Sequence, residues 1–372
     1  MSLTVFNIPT ENLKYALFLP IVFGAVVMYL STPFWIKFGA ARQLLDLPKG
    51  RKAHAHPVTF TGGLAIGFAF YLSLLLLGGL RFPHFRTVLL GGLLTLTLGY
   101  LDDRYDLAPG LKLLWQTVIA LVTAGLGVRI HFLTNPFGNM VTLGWIGYPL
   151  TVFWLLATMN MINLIDGLDG LAVGISLIAS VSLMIIGFGL WQIPAAFLSA
   201  LLIGILAGIL PYNFYPARIF IGNSGAYFLG YIIGVISVLG ALKLPTVLAF
   251  AVPIFALGIP VLDTLWAIWR RWRQKKPLVV ADRGHIHYLL VYSGADERQV
   301  VLILYGISLL LGISSIFLSR VELFFGAIIL LLGLGAVFFI FYGLGLLQTA
   351  AKQRTATAGE AQTDQRKELS HE

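Results

Sequence analysis

The sequence predicts an all-α, polytopic membrane protein, and its composition, hydropathy and distribution of charge lead to this prediction. Of the 372 residues, 58% are hydrophobic and only 11% are charged, whereas a soluble domain has about 25% charged residues. The mean hydropathy is +0.88. The apolar residues form long runs between short polar segments, which is the pattern of helices that cross a bilayer. The chain has no cysteine, which excludes disulfides and thiol catalysis.

Eleven apolar runs are candidate membrane-spanning helices, each near the roughly 20 residues that a crossing needs. The first run is predicted to be a retained span, because the segment before it lacks the basic start and the cleavage site of a signal peptide. We assign residues 1–347 to one membrane domain and the polar residues 348–372 to a disordered tail. The predicted helices cover residues 15–36, 61–80, 87–101, 113–128, 146–165, 170–190, 193–212, 225–242, 245–268, 299–318 and 321–347.

The basic residues predict how the chain is oriented in the membrane. Of the 25 Lys and Arg residues, 19 lie in the loops after odd-numbered helices and in the tail. Since basic loops face the cytoplasm, we expect the N-terminus outside and the C-terminus inside. The acidic residues lie on the same inner side, apart from Glu11 and Glu322. The net charge of +9 is therefore typical of loops beside an anionic leaflet and does not indicate nucleic-acid binding.

The loop after the fifth helix carries two acids and two amides between two apolar runs. A carboxylate beside hydrocarbon costs about 2.5–3.5 kcal/mol on insertion scales. This cost predicts a site for a cation or a polar ligand, and the alternative is a polar patch between packed helices. The four residues are Asn160, Asn163, Asp166 and Asp169.

The loop after the third helix begins with two adjacent acids, Asp102 and Asp103. Neighbouring carboxylates repel each other, so the pKa of one rises unless a cation lies nearby. The pair suits Mg²⁺, which takes one or two carboxylates together with substrate phosphates, and it also suits a general base. The alternative is an acidic helix cap. Lys112 and Gln116 follow, four residues apart, and are predicted to share a helix face.

Two glycine-containing segments are candidate phosphate sites. In the first loop, basic groups precede Gly62-Gly63, whose free backbone N–H groups could cradle a phosphate. The alternative is a basic anchor at the membrane surface. In the loop after the seventh helix, the segment 222–225 reads Gly-Asn-Ser-Gly and predicts either an anion nest or a simple helix cap. The basic groups of the first loop are Arg51, Lys52 and His54.

The loop after the ninth helix has a basic run over residues 270–276, which we interpret as a surface anchor, and then Arg283, His285 and His287. These three side chains offer phosphate contacts or proton transfer. A zinc site is disfavoured, because the rest of this membrane face is rich in oxygen ligands. Together the inner loops contain the groups that hold a diphosphate with Mg²⁺ at a membrane surface.

These motifs, in this order, resemble the polyprenyl-phosphate N-acetylhexosamine-1-phosphate transferase superfamily, glycosyltransferase family 4, over about residues 15–345. The segment His285-Ile286-His287 is most similar to the undecaprenyl-phosphate GlcNAc-1-phosphate transferase branch. The other matches are Arg51-Lys52 with Gly62-Gly63, Asp102-Asp103 with Lys112 and Gln116, the motif from Asn160 to Ala172, and Asn213 with Pro216-Ala217 and Phe220.

The resemblance implies that an oxygen of undecaprenyl phosphate attacks the β-phosphate of a UDP-N-acetylhexosamine, most simply UDP-GlcNAc, with Mg²⁺ (or Mn²⁺), and that UMP leaves. It implies a multi-pass protein of the bacterial inner membrane, in contact with membrane lipids and often a homodimer. The implied catalytic residues are Asp102, Asp103 and Lys112. The implied metal ligands are Asp102, Asp103, Asp166 and Asn223. The implied substrate-binding residues are Arg51, Lys52, His54, Asn160, Asn163, Asp166, Asp169, Asn213, Phe220, Arg283, His285 and His287.

The chain departs from the family pattern at two positions. Asn223 stands where the family has a metal-binding aspartate, and Tyr288 replaces a final histidine. An asparagine keeps an oxygen ligand but loses the charge, which weakens Mg²⁺ binding. We favour an active natural variant over an engineered inactive form or a homologue that binds substrate without turnover. A transporter is disfavoured by the scarcity of charge on the outer side. The motifs fit either phosphorylation of an aspartate or proton transfer to it.

Overall fold

A computed structural model describes residues 13–46, 57–82, 84–134, 140–240, 257–273 and 296–319, with residues 254, 328 and 335. Helices dominate this part of the chain, and short 3₁₀ turns lie at Gly79–Arg81 and Gly144–Ile146. The α-helices are α1 (Leu13–Ala41), α2 (Gly62–Leu76), α3 (Phe85–Tyr105), α4 (Pro109–Gly125), α5 (Gly147–Ile165), α6 (Leu171–Gly189), α7 (Ile193–Asn213), α8 (Gly222–Gly240), α9 (Gly258–Arg273) and α10 (Glu297–Leu318).

Six of these helices, α1, α5, α6, α7, α8 and α10, are long and apolar enough to cross a membrane. The prediction of a polytopic membrane protein is therefore confirmed. The helices at the second, third and fourth predicted spans are either shorter, as in α2 and α4, or interrupted by charge, as at the end of α3. Such helices can be accommodated where neighbouring helices cover their polar groups.

Helix α8 is the centre of the bundle, and all its residues from Ser224 to Gly240 are buried. Helices α3 and α5 pack along it, while α7 packs against α1 on one side and α6 on the other. Helix α10 packs against α6. Since α8 is surrounded by protein, the groups at its first turn are held in place by several helices at once.

The predicted helical fold is confirmed, and two short β-ribbons that we did not predict add to it. Strand β1 (Leu45–Asp46) pairs with β2 (Val58–Thr59), and β3 (Phe132–Thr134) pairs with β4 (Met140–Thr142), both antiparallel. Thr59 also forms an isolated parallel bridge with Ile219. Each ribbon is only two or three residues per strand, too short for a clear alternating pattern in the sequence.

Several helix ends differ from the predicted ones, because apolar runs do not mark where capping contacts fall. Helix α3 continues past the predicted end at residue 101 to Tyr105, and α8 begins at Gly222, three residues before the predicted start. Both acids of the Asp102-Asp103 pair are thus in the last turn of a helix. Helix α9 includes Arg273, which we predicted to lie in a loop.

Several predicted features lie outside the described residues. These are most of the eleventh helix, the first part of the ninth, and the tail. The same holds for six candidate substrate-binding residues, Arg51, Lys52, His54, Arg283, His285 and His287.

Candidate active site

A closed ring of polar contacts joins four helices at the end of the bundle where α3 ends and α8 begins. Asp103 links α3 to α8, and Asn223 links α8 to α5. Asn160 links α5 to α4, and Lys112 links α4 back to α3. Three separate motifs of the sequence, around residues 102–116, 160–163 and 222–225, contribute to this ring. The polar residues of these three motifs therefore converge on one site.

Asp103 caps the first turn of α8. Its carboxylate accepts the backbone N–H of Asn223 at 2.7 Å and that of Ser224 at 3.1 Å. The first N–H groups of a helix lack partners within the helix, and the helix dipole favours an anion there. The predicted anion nest is therefore real, but the anion that it holds is the side chain of Asp103. Gly222, at φ 64°, brings the backbone close to this carboxylate.

Asp102, the preceding residue, is buried and binds three groups. The ammonium of Lys112 lies 2.7 Å from its Oδ1 atom. The Leu107 N–H donates to Oδ1 at 3.0 Å, and the Tyr227 hydroxyl donates to Oδ2 at 2.9 Å. The contact with Leu107 caps the C-terminus of α3, so the acidic helix cap that we considered exists in addition to the ion pair.

The amides of α5 connect the ring. Asn163 donates from its amide nitrogen to the Asn223 side-chain oxygen at 2.7 Å. Asn160 donates to the Gln116 side-chain oxygen at 2.8 Å. Gln116 and Lys112 both face inward from α4, which agrees with the shared helix face predicted from their spacing.

Asp166 and Asp169 lie in the turn between α5 and α6. Asp169 accepts the backbone N–H of Ala217 at 2.8 Å, which ties this turn to the loop before α8. Burial, followed by the negative charges of Asp103 and Asp169, raises the pKa of Asp166 to about 8. A carboxylate in this environment gains from a cation, because a nearby positive charge reverses both effects.

The donor chemistry of this site fits Mg²⁺. No group of three or more His, Cys, Asp or Glu side chains that could hold a metal ion is found in the described part of the chain. Mg²⁺ does not need such a group, since it takes one or two carboxylates and fills its other positions with water and substrate phosphates. Asp103 and Asp166, with the side-chain oxygen of Asn223, make a set of this kind. Asp102, which the resemblance also implies as a metal ligand, is left out of this set because Lys112, Leu107 and Tyr227 already bind its two oxygens.

The idea that free N–H groups of Gly62-Gly63 cradle a phosphate is wrong. The Gly62 N–H donates to the Phe220 carbonyl at 2.9 Å, and the Gly63 N–H donates to the Ile221 carbonyl at 3.0 Å. A Cβ atom at Gly63 would lie 2.1 Å from the Gly225 backbone nitrogen. These glycines therefore allow α2 to approach the start of α8.

Asn213 and Phe220 have structural contacts. The buried Asn213 donates to the Ile219 carbonyl at 2.8 Å, which closes the loop before α8. The Phe220 N–H donates to the Thr59 carbonyl at 2.8 Å, alongside β2. Their implied role in binding substrate stays a prediction.

Two contributors to the site were missed in the sequence. Tyr227 lies four residues after Asn223 and shares its helix face, so the spacing could have revealed it. Gly99 lies one turn before Asp103, and a Cβ atom there would meet the Ser224 Cα at 2.3 Å. The sequence alone could not have revealed Gly99, because a single glycine in an apolar helix does not indicate that another helix packs closely against it.

Comparison with known proteins gives consistent matches. Residues 85–241 match the family described as glycosyl transferase family 4. The chain is 37% identical over 296 residues to a probable undecaprenyl-phosphate N-acetylglucosaminyl 1-phosphate transferase of Bacillus subtilis, covering 79% of this chain and 82% of that protein. It is 31% identical to a decaprenyl-phosphate N-acetylglucosaminephosphotransferase of Mycolicibacterium smegmatis, covering 76% and 77%. It is 27% identical to an undecaprenyl-phosphate alpha-N-acetylglucosaminyl 1-phosphate transferase of Yersinia pestis, covering 76% and 78%.

Proposed function

Because the chain belongs to glycosyl transferase family 4, we propose that it transfers N-acetylglucosamine 1-phosphate from UDP-GlcNAc to a polyprenyl phosphate such as undecaprenyl phosphate. The chain covers 82% of the Bacillus subtilis relative, so the comparison spans most of that transferase. The observation that supports this function best is the polar ring, which gathers acids, amides and Lys112 where helices end.

The reaction forms one bond and breaks one bond at phosphorus. An oxygen of the lipid phosphate attacks the β-phosphorus of UDP-GlcNAc, and the bond from that phosphorus to the oxygen bridging the two phosphates breaks. UMP leaves with the bridging oxygen, and the sugar stays on a lipid diphosphate. Catalysis of such a transfer depends mainly on positioning and on neutralising charge.

The residues of the ring divide this work. Lys112, held by Asp102, neutralises an oxygen of the attacking lipid phosphate. Asp103 and Asp166, with Asn223, would hold Mg²⁺, which would supply positive charge to neutralise the diphosphate. Asn163 fixes the Asn223 amide at 2.7 Å. Asp103 is also the carboxylate that accepts a proton from the lipid phosphate. His285, His287 and Arg283 are proposed to contact the sugar and the phosphates.

The proposed membrane arrangement has eleven helices, with the N-terminus outside and the active site on the cytoplasmic face of a bacterial inner membrane. The bias of basic residues to one side supports this orientation. A soluble UDP-sugar then reaches the site from the cytoplasm, while the lipid phosphate enters from the bilayer. A homodimer is proposed from the family alone.

The function is tested with purified protein in detergent, undecaprenyl phosphate, Mg²⁺ and sugar-labelled UDP-GlcNAc. Lipid-linked label and UMP should accumulate together. The absence of product with any UDP-N-acetylhexosamine in a donor panel would contradict the proposed function. Flux of label into sealed vesicles without UMP would favour a transporter instead.

Removing the divalent cation should abolish transfer. The site crowds Asp103, Asp166 and Asp169 together, and only a cation allows a diphosphate to join them. We expect EDTA to stop product formation and added Mg²⁺ to restore it, as measured by initial rates. Full activity after exhaustive chelation would contradict the proposed role of the acids.

Replacing Asn223 by aspartate should lower the Mg²⁺ concentration that gives half of the maximal rate, because it adds a carboxylate to the site. Asn223→Ala, which removes the oxygen, should raise that concentration. The measurement is a Mg²⁺ titration of the initial rate for both variants and the unmutated chain. If Asn223→Asp needs more Mg²⁺ than the unmutated chain, Asn223 is not a metal ligand.

A further inference from the structure

We propose that Tyr227 is a positioning residue, whose hydroxyl holds Asp102 in the orientation that aims the Lys112 ammonium at the lipid phosphate. This inference rests on the proposed function and adds a residue to it that none of the sequence motifs contains. It follows from the hydrogen bonds that α8 donates to the two neighbouring acids of α3.

Asp102 and Asp103, both on α3, contact different parts of α8. Successive residues on a helix point about 100° apart, so Asp102 and Asp103 cannot share one partner group. Asp103 binds the first backbone N–H groups of α8, at Asn223 and Ser224. Tyr227, one turn further along α8, donates its hydroxyl to Asp102 at 2.9 Å. One helix therefore fixes both carboxylates.

The contacts of Asp102 show what the hydroxyl controls. The ammonium of Lys112 and the Leu107 N–H both bind Oδ1, at 2.7 and 3.0 Å. The Tyr227 hydroxyl binds the other oxygen, Oδ2. Without it, only the contacts at Oδ1 restrict rotation of the carboxylate about its Cβ–Cγ bond, and any such rotation moves Oδ1 together with the Lys112 ammonium that it binds.

Burial makes this hydrogen bond effective. Asp102 is 2% exposed and Tyr227 is 2% exposed, so water cannot replace the hydroxyl without a change in packing. A hydrogen bond to a charged, buried acceptor is stronger than one between neutral groups. The side chain of Lys112 is 23% exposed, which leaves its ammonium able to reach a ligand while its partner stays fixed.

The test compares Tyr227→Phe with Tyr231→Phe in the full chain. Tyr231 lies one turn further along α8, is equally buried, and donates its hydroxyl to the Thr87 carbonyl at 3.0 Å, away from the acids. Each variant loses one buried hydroxyl and keeps the aromatic ring of the side chain. We expect Tyr227→Phe to lower kcat about tenfold and to raise KM for undecaprenyl phosphate, with KM for UDP-GlcNAc within about twofold. Tyr231→Phe should keep kcat and both KM values.

A second readout does not need activity. The rate at which an amine-reactive reagent modifies Lys112 is measured by mass spectrometry of the peptide that contains it. Tyr227→Phe should speed this modification several-fold, because the ammonium is less firmly paired, and Tyr231→Phe should not.

The outcomes separate the two proposals. An unmutated chain that makes no lipid product contradicts the proposed function, and the labelling of Lys112 still decides the role of Tyr227. Unchanged labelling and unchanged kinetics in Tyr227→Phe overturn the inference. Equal effects of the two phenylalanine variants also overturn it, since they would show a general loss of packing.

Discussion

Replacing Asp103 by asparagine is expected to lower turnover at least about 100-fold while the protein still folds. The carboxylate supports the cation and accepts the proton in the proposed reaction, and general-base effects alone reach about 10²–10⁴-fold. The variant keeps the size of the side chain and one acceptor oxygen, so it loses only one of the two contacts that Oδ1 and Oδ2 of Asp103 make with the N–H groups of Asn223 and Ser224. The loss should therefore appear in kcat far more than in stability. Initial rates at saturating substrates measure it.

The matched control is Asp106→Asn. Asp106 follows on the same segment, but its side chain is fully exposed, and it lies 3.7 Å from Lys112. Exposed ion pairs contribute little, so this variant should stay within about threefold of the unmutated rate. Near-normal turnover of Asp103→Asn, or an equal loss in both variants, would show that Asp103 has no special role.

The second large effect is expected from Gly99→Ala, which should lower both stability and activity. An added Cβ atom would lie 2.3 Å from the Ser224 Cα and 2.5 Å from the Ser224 backbone nitrogen. Since these are backbone atoms, α3 and α8 must move apart. This movement breaks the hydrogen bonds from the first turn of α8 to Asp103. Overpacking of this kind costs about 1–3 kcal/mol. Thermal unfolding in detergent and the initial rate are the two measurements.

Gly110→Ala is its control, because no atom lies within 4 Å of the added Cβ position. Both changes replace a helical glycine by alanine, which by itself favours the helix. Gly110→Ala should therefore keep the unmutated melting temperature and rate. If Gly99→Ala also keeps the unmutated melting temperature and rate, α3 and α8 are not in close backbone contact at Gly99.

The sequence allows the class of the protein to be predicted, and it singles out several polar residues that the structure brings together. Hydropathy alone indicates a polytopic helical protein, because a bilayer leaves few alternatives to long apolar helices. The cost of placing Asp166 and Asp169 beside hydrocarbon predicts a ligand site. The order of the motifs then points to the family.

The contacts between those residues could not be predicted, because they depend on tertiary packing. Helix α8 begins at Gly222 since a carboxylate from α3 satisfies its first N–H groups. The N–H groups of Gly62 and Gly63 have partners in the segment before α8, which no local pattern indicates. The hydroxyl of Tyr227 is likewise informative only once Asp102 is known to lie beside it.

Transfer of a sugar phosphate to the lipid, and not of the sugar alone, defines the proposed reaction. It is tested most directly with UDP-GlcNAc labelled in both the sugar and the β-phosphorus, followed by separation of the lipid product from the nucleotides. We expect both labels to enter the lipid in equal amounts and the released nucleotide to be UMP. Sugar label in the lipid without the β-phosphorus, with release of UDP, would contradict it.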